Sequence, residues 1–337
     1  MSEMSTTNRT QVAGTVTFYL VAALAMVMIN KWVLNVTTAP LFFLFAQFII
    51  AVILFYFFHA LKIITLPMMR VDVPILKGLA STVIFNVLAL STSNYSLKFV
   101  DASFYQVARG LLLPFTILTS YVMLQTRPSY RILLSCSIVT SGFFTGVFLD
   151  STQVSALGIF FGASSSLLSA LHASVMKRGF EVVEGSALSM SWYSNLLSSV
   201  LLVPFIIVLG EGPAVLELLS GRAEGFWTFV IGSVATGSVG FLLSIASVLS
   251  IKVTSPITHM ISSAIRGVAA SVLGVTLFGD ILTLGRMWAI LIILGGSIYY
   301  TWIKHIESLA PAPPLRQYEQ VAMEELEEGI DKEQIKA

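Results

Sequence analysis

Residues 39–60 read APLFFLFAQFIIAVILFYFFHA, a stretch without a single Asp, Glu, Lys or Arg. A transmembrane helix needs about 20 consecutive apolar residues to cross a hydrocarbon core of about 30 Å, and this stretch has that length. The rest of the chain has the same character: 56% of its 337 residues are hydrophobic and 11% are charged, and the mean hydropathy is +0.86. A soluble domain carries about 25% charged residues, so the sequence predicts an integral membrane protein.

Nine further apolar stretches predict an all-α bundle of ten transmembrane helices. The predicted spans lie approximately at 13–33, 39–60, 75–97, 102–124, 130–149, 154–176, 187–209, 226–250, 256–278 and 284–303. An even number of spans places both termini on one side of the membrane. That side carries Arg9, Lys62, Arg70, Lys77, Arg127, Arg131, Lys177, Arg178, Lys252 and Lys304, whereas the other carries Lys98, Arg222 and Arg286. Since Lys and Arg accumulate in cytosolic loops, we predict that both termini are cytosolic.

The spans divide into two halves of five. Because five is odd, the second half has the opposite orientation to the first, as in many secondary transporters. The predicted organisation is a cytosolic tail (1–12), a first repeat (13–152), a second repeat (153–304) and an acidic cytosolic tail (305–337). Two GxxxG patterns, at Gly142 and Gly146 and at Gly158 and Gly162, are expected to pack helices closely.

Two arginines lie deep inside the predicted spans. Arg109 is about 12 Å from the lumenal start of its helix and Arg266 about 15 Å from the cytosolic start of its own, at 1.5 Å per residue. Burying an arginine there costs at least about 2.5–3.5 kcal/mol, and no Asp or Glu lies mid-span to offset it. Each occupies the fourth helix of its half, so together they predict a central site for a doubly charged anion. Lys31 lies nearer the lumenal end of its helix, where snorkelling remains an alternative.

Other chemistries find little support in the residues. His172 and His259 are expected near span ends, and without intramembrane carboxylates there is no proton relay of the usual kind. Cys136 is the one cysteine, no HExxH motif occurs, and no basic patch is present. We therefore predict that the protein is not an enzyme, holds no metal or cofactor, and does not bind nucleic acid.

Several motifs together resemble one family. They are INKWVL (29–34), NYSLKFV (94–100), FYQVAR (104–109), TSPITHMISS (254–263) and GGSIYYTW (295–302). Across residues 13–305 the chain resembles the nucleotide-sugar and triose-phosphate branch of the drug/metabolite transporters, and within it the GDP-fucose carriers. The resemblance implies a multi-pass Golgi antiporter, with the endoplasmic reticulum as the alternative location. It would import a cytosolic nucleotide sugar in exchange for a lumenal nucleoside monophosphate. The expected partners are these two nucleotides and membrane lipids, with a homodimer as an option.

The family also implies two binding motifs. A Phe-Tyr-Asn-Asn motif in the seventh helix contacts the base, and here it reads Trp192, Tyr193, Ser194 and Asn195. A Gly-Ala-Leu-Asn-Lys motif in the ninth helix meets the phosphate and sugar, and here it reads Ser262, Ser263, Ala264, Ile265 and Arg266. Arginine clamps a phosphate bidentately, so phosphate binding survives that change. The loss of one amide at Ser194 leaves a UDP-sugar, such as UDP-galactofuranose, as an alternative.

The predicted substrate-binding residues are Lys31, Asn94, Tyr105, Arg109, Trp192, Tyr193, Ser194, Asn195, Ser262, Ser263 and Arg266. A carrier of phosphorylated metabolites that does not recognise a base remains a further alternative, as does a scaffold that binds lipid phosphates.

Overall fold

A computed structural model describes residues 2–67, 73–125, 127–150, 154–221, 224–253 and 256–309. These residues form helices and no strand. The helices are α1 (Ser2–Leu34), α2 (Pro40–Ala60), α3 (Val73–Phe99), α4 (Ala102–Gly110), α5 (Leu112–Leu124), α6 (Tyr130–Phe148), α7 (Ala156–Val182), α8 (Ala187–Val208), α9 (Gly212–Leu219), α10 (Phe226–Val253), α11 (Pro256–Phe278) and α12 (Leu284–Leu309). Eight of them, α1, α2, α3, α6, α7, α8, α10 and α12, are long and apolar enough to cross a membrane. The all-α membrane architecture is therefore confirmed.

The predicted fourth span, 102–124, is broken into two helices. α4 ends at Gly110 and α5 begins at Leu112. Pro114 explains the break, because proline has no backbone N–H and its ring clashes with the carbonyl four residues earlier, that of Gly110. The chain turns there through a tighter bond from Leu111 N to Ala108 O, at 3.2 Å. The break follows Arg109 directly, so this arginine lies at the end of a short half-helix.

The predicted ninth span, 256–278, coincides with α11. Its apolar stretch among the fully described residues, Ile265–Phe278, is shorter than a spanning helix. The count of ten spans therefore stays a prediction.

The long helices pack in pairs: α3 along α7, α6 along α12, α1 along α10, and α2 against α8. Glycines permit the closest approaches. A Cβ on Gly158 would lie 2.2 Å from Val100 Cγ1, and one on Gly142 would lie 2.8 Å from Ile293 Cγ1. The two GxxxG patterns thus pack helices as predicted, α7 against α3 and α6 against α12.

One end of the bundle, here called the loop face, carries the described connecting residues 35–39, 100–101, 149–150, 154–155, 209–211, 220–221, 224–225 and 279–283, together with the short helix α9. An ion-pair cluster holds it together. Arg286, at the start of α12, is 3% exposed, and its Nε lies 2.5 Å from Asp150 Oδ2. Its Nη1 pairs with Asp101 Oδ2 and donates to the Ile281 carbonyl at 2.7 Å. One guanidinium therefore joins the ends of α3 and α6 to the start of α12.

Two buried carboxylates cap helices on the same face. Glu211 accepts from the Leu41 N–H at 3.0 Å, at the start of α2, and Asp280 accepts from the Ala102 N–H at 2.7 Å, at the start of α4. The first N–H groups of a helix have no partner within the helix, so these contacts satisfy donors that would otherwise be buried unpaired. Burial raises the pKa of Asp280 above its ordinary value, and the hydrogen bond from Ala102 opposes that shift.

Candidate functional site

A central cavity of about 970 Å³ lies between α1, α2, α3, α4, α7, α8, α10 and α11. It extends to Gly185 and Ser186, in the turn that joins α7 to α8 at the end of the bundle opposite the loop face. None of the described loop-face connections lines it. In this conformation the cavity therefore approaches the end of the bundle that bears the α7–α8 turn.

Arg109 and Arg266 both line this cavity. The Arg109 guanidinium carbon lies 5.8 Å from the centroid of the Tyr105 ring, a distance at which a cation is attracted to a ring face. Arg266 is hydrogen-bonded to Tyr19 and is close enough to Arg109 for the two charges to repel each other. Among the described residues, no carboxylate oxygen lies within 4 Å of either guanidinium. Helices α4 and α11 thus bring two half-buried positive charges to one cavity, with no carboxylate beside them among the described residues.

Tyr105 and Asn94 line the same cavity. The Tyr105 hydroxyl is 2.6 Å from Ser93 Oγ, and either atom could be the donor. The Asn94 amide donates to the Pro40 carbonyl at 3.5 Å. These contacts fix polar side chains of α3 and α4 in the cavity wall. The part of the wall that α3 contributes is therefore polar but uncharged, in contrast to the part that contains Arg109 and Arg266.

The four residues of α8 that correspond to the family's base-binding motif, 192–195, face in two directions. Ser194 and Asn195 line the cavity, and Asn195 Nδ2 donates to the Ser191 carbonyl at 2.7 Å. Trp192 and Tyr193 do not line it: Trp192 is 0% exposed and belongs to the apolar core. Successive residues of a helix are about 100° apart, so four in a row cannot all face one side.

Lys31 does not line the cavity either. Its Nζ donates to the carbonyls of Leu97, at 2.9 Å, and Val100, at 2.6 Å. These contacts satisfy carbonyls at the C-terminus of α3, where cations are favoured by the helix dipole. Ser262 and Ser263 are in α11, but their side chains lie outside the described residues. The structure thus brings Asn94, Tyr105, Arg109, Ser194, Asn195 and Arg266 together, and leaves Lys31, Trp192 and Tyr193 outside the cavity lining.

Several lining residues were not predicted. His172 was expected near a span end, but α7 continues to Val182, ten residues further, and His172 lines the cavity. Ser165, Ser166 and Ser169 lie on the same face of α7. Their spacing of three and four residues is that of one helix face, so a polar stripe in an apolar span was the signal available in the sequence. On the opposite wall, Gln47 Nε2 donates to Asn30 Oδ1 at 3.0 Å.

Comparison with known proteins agrees with this architecture. The chain is 31% identical over 313 residues to "GDP-fucose transporter 1" of Dictyostelium discoideum, an alignment that covers 88% of this chain and 81% of the relative. It is 29% identical over 306 residues to "GDP-fucose transporter, Golgi" of Drosophila melanogaster, covering 87% and 90%. One solved crystal structure superposes with a TM-score of 0.55 at 11% identity, covering 87% of this chain and 97% of that one. This last likeness shows a shared fold alone.

The family comparison covers almost all of the helical bundle. The Triose-phosphate Transporter family matches residues 10–301, a range that contains α2 to α11 entirely and every described residue of the cavity. The chain belongs to the triose-phosphate transporter family, within the drug/metabolite transporter superfamily.

Proposed function

We propose that this protein is a Golgi antiporter that imports a nucleotide sugar of the GDP-fucose type and exports the nucleoside monophosphate. The observation that carries the proposal is the pair Arg109 and Arg266, which line one cavity with no described carboxylate beside them. A diphosphate supplies two negative charges, and arginine binds phosphate oxygens bidentately. Phosphate would therefore pair both cations at once.

The relatives support the choice of substrate. Two proteins named as GDP-fucose transporters, one of them named for the Golgi, align with most of this chain. The neutral end of the cavity, with Ser194 and Asn195, offers hydrogen-bonding groups for a base. The remaining predicted contacts, from Lys31, Trp192, Tyr193, Ser262 and Ser263, would require a conformation other than this one or side chains outside the described residues.

We further propose ten spans in two inverted repeats, with both termini cytosolic. The packing supports a twofold relation that exchanges α1 with α7, α2 with α8, α3 with α10, α4 and α5 with α11, and α6 with α12. Under this exchange the contact of α3 with α7 maps onto that of α10 with α1, and the contact of α2 with α10 maps onto that of α8 with α3. The pairs α2–α8, α4–α11 and α6–α12 map onto themselves. With this orientation the cavity faces the cytosol.

Ser194 favours a second candidate. It lines the cavity with a hydroxyl where the family motif has a carboxamide, and a hydroxyl accepts or donates without distinguishing a purine edge from a pyrimidine edge. A UDP-sugar such as UDP-galactofuranose is the alternative substrate.

Counterflow uptake into liposomes tests both candidates. Vesicles containing the purified protein are preloaded with GMP or with UMP, and the matched control carries Arg266→Met. We expect uptake of GDP-fucose only against GMP, with a half-saturation concentration up to about 100-fold higher in the control. Uptake of a UDP-sugar only against UMP would identify the alternative, and inhibition by triose phosphate but by neither nucleotide would reject nucleotide-sugar transport.

A further inference from the structure

Four polar side chains that line one wall of the cavity make no hydrogen bond to the described part of the protein. They are Ser169 and His172 on α7 and Ser191 and Ser194 on α8. Among the described residues, every other hydroxyl or carboxamide that lines the cavity is bonded. All four are half-buried and lie at the cavity surface. Two neighbouring helices thus present hydrogen-bonding groups that are directed to a ligand and not to the rest of the protein.

This wall begins beside Arg109 and continues along α7. Ser166 Oγ donates to the Ala108 carbonyl at 2.9 Å, next to Arg109. Ser169 and His172 follow on the same helix face, about 4.5 Å and 9 Å further along the axis. A ligand whose phosphates lie between Arg109 and Arg266 would therefore place its uncharged part along this wall.

The wall matches a planar, uncharged partner. Asn195 Nδ2 is held by the Ser191 carbonyl, and its carbonyl oxygen makes no other bond in the described part of the chain, so it remains as a fixed acceptor. A neutral imidazole adds one donor and one acceptor in a single plane. A nucleobase presents donors and acceptors along one flat edge, whereas sugar hydroxyls point in several directions and do not require planar groups. The combination of an imidazole and an oriented carboxamide thus fits a base better than a sugar.

We infer that His172 contacts the nucleobase and sets base selectivity together with Ser194 and Asn195. This inference rests on the proposed function, since it assumes a nucleotide in the cavity. It adds a specificity-determining residue on α7 to the predicted contacts on α8. In this arrangement the histidine supplies hydrogen-bonding capacity at a site where position 194 offers only a hydroxyl.

Binding measurements on the full-length protein test the inference. Dissociation constants are measured for GMP, UMP, ribose 5-phosphate and GDP-fucose with the wild type, His172→Ala and His172→Asn. The base contribution is the Kd of ribose 5-phosphate divided by the Kd of the preferred monophosphate. Loss of one buried hydrogen bond changes a binding constant by up to about tenfold. We expect His172→Ala to lower this ratio by about that factor without changing the Kd of ribose 5-phosphate, and His172→Asn to restore part of it. Leu167→Ala, on the outer side of α7 at 37% exposure, is the matched control and should change neither constant.

The other outcomes separate the two proposals. Suppose that the wild type prefers a nucleotide, but that His172→Ala leaves the ratio unchanged or weakens the binding of ribose 5-phosphate as much as that of the preferred monophosphate. The inference is then wrong and the proposed function stands. The same holds if only the intact nucleotide sugar binds more weakly, because the wall then contacts the sugar. If the wild type binds neither monophosphate more tightly than ribose 5-phosphate, no base is recognised and both proposals fail.

Discussion

Replacing Arg286 with methionine should destabilise the loop face severely. Arg286 is 3% exposed and Asp150 is 0% exposed, whereas Asp101 retains 36%. The substitution leaves the Asp150 carboxylate buried without the guanidinium that faces it. Removing one partner of a buried ion pair costs about 3–5 kcal/mol. We expect a loss of this size in the free energy of unfolding.

The chain contains a matched control for this effect. Lys304 and Glu307 form an ion pair at 3.1 Å, but their side chains are 47% and 38% exposed. Exposed pairs contribute about 0–1 kcal/mol, so Lys304→Met should be nearly neutral. The same reasoning predicts that the double variant Arg286→Met/Asp150→Asn is less destabilised than Arg286→Met alone, since the buried charge has also been removed.

Unfolding in mixed micelles titrated with sodium dodecyl sulphate would measure these three variants and the single variant Asp150→Asn against the wild type. A double-mutant cycle then gives the coupling between Arg286 and Asp150. The reasoning is refuted if Arg286→Met falls within 1 kcal/mol of Lys304→Met, or if Asp150→Asn adds to its loss instead of relieving it.

Four other substitutions test the site. Arg266→Lys should weaken nucleotide binding about tenfold and Arg266→Met by up to about 100-fold, measured as half-saturation in counterflow, because charge-assisted hydrogen bonds contribute about 1.5–3 kcal/mol. Lys31→Met should lower stability, since Lys31 bonds two carbonyls of α3, yet leave the nucleotide Kd of the folded fraction unchanged; a loss of affinity would instead place Lys31 at the substrate. Trp192→Phe should also leave that Kd unchanged, because the buried indole does not line the cavity, and a weaker Kd for the monophosphate but not for ribose 5-phosphate would indicate a contact with the base.

The sequence predicted the features that depend on solvation. Charge-free stretches such as 39–60 locate helices wherever bilayer length is the constraint. Arg109 and Arg266 could be identified as a pair because an intramembrane charge is costly wherever the helix packs. Both line one cavity, as the predicted central anion site requires.

Features that depend on contacts with other segments of the chain were harder to predict from the sequence. The partners of Lys31 are backbone carbonyls of α3, which no pattern of side chains reveals. Pro114 is evident in the sequence, but whether a proline kinks or breaks a helix depends on the segments that pack around it. His172 was predicted to lie near a span end because the span was predicted to end just before Lys177 and Arg178. Helix α7 instead continues past these residues to Val182. Trp192 was assigned to the base by its place in a motif, although it lies on a face of α8 that the core covers.

The two arginines of the cavity also predict how the carrier moves. An empty cavity holds Arg109 and Arg266 close enough to repel, and closing it around them removes water without supplying an anion. A bound diphosphate or monophosphate neutralises both cations, so the loaded carrier should reorient faster than the empty one. Exchange should then be faster than net flux. Arg266→Met leaves one charge fewer in the cavity, so it should lower the ratio of the exchange rate to the net-flux rate, although it also weakens binding. Efflux of radiolabelled nucleotide from preloaded liposomes, with and without nucleotide outside, measures this. Equal rates in the wild type would mean that the empty carrier reorients freely and that some other group compensates the two arginines.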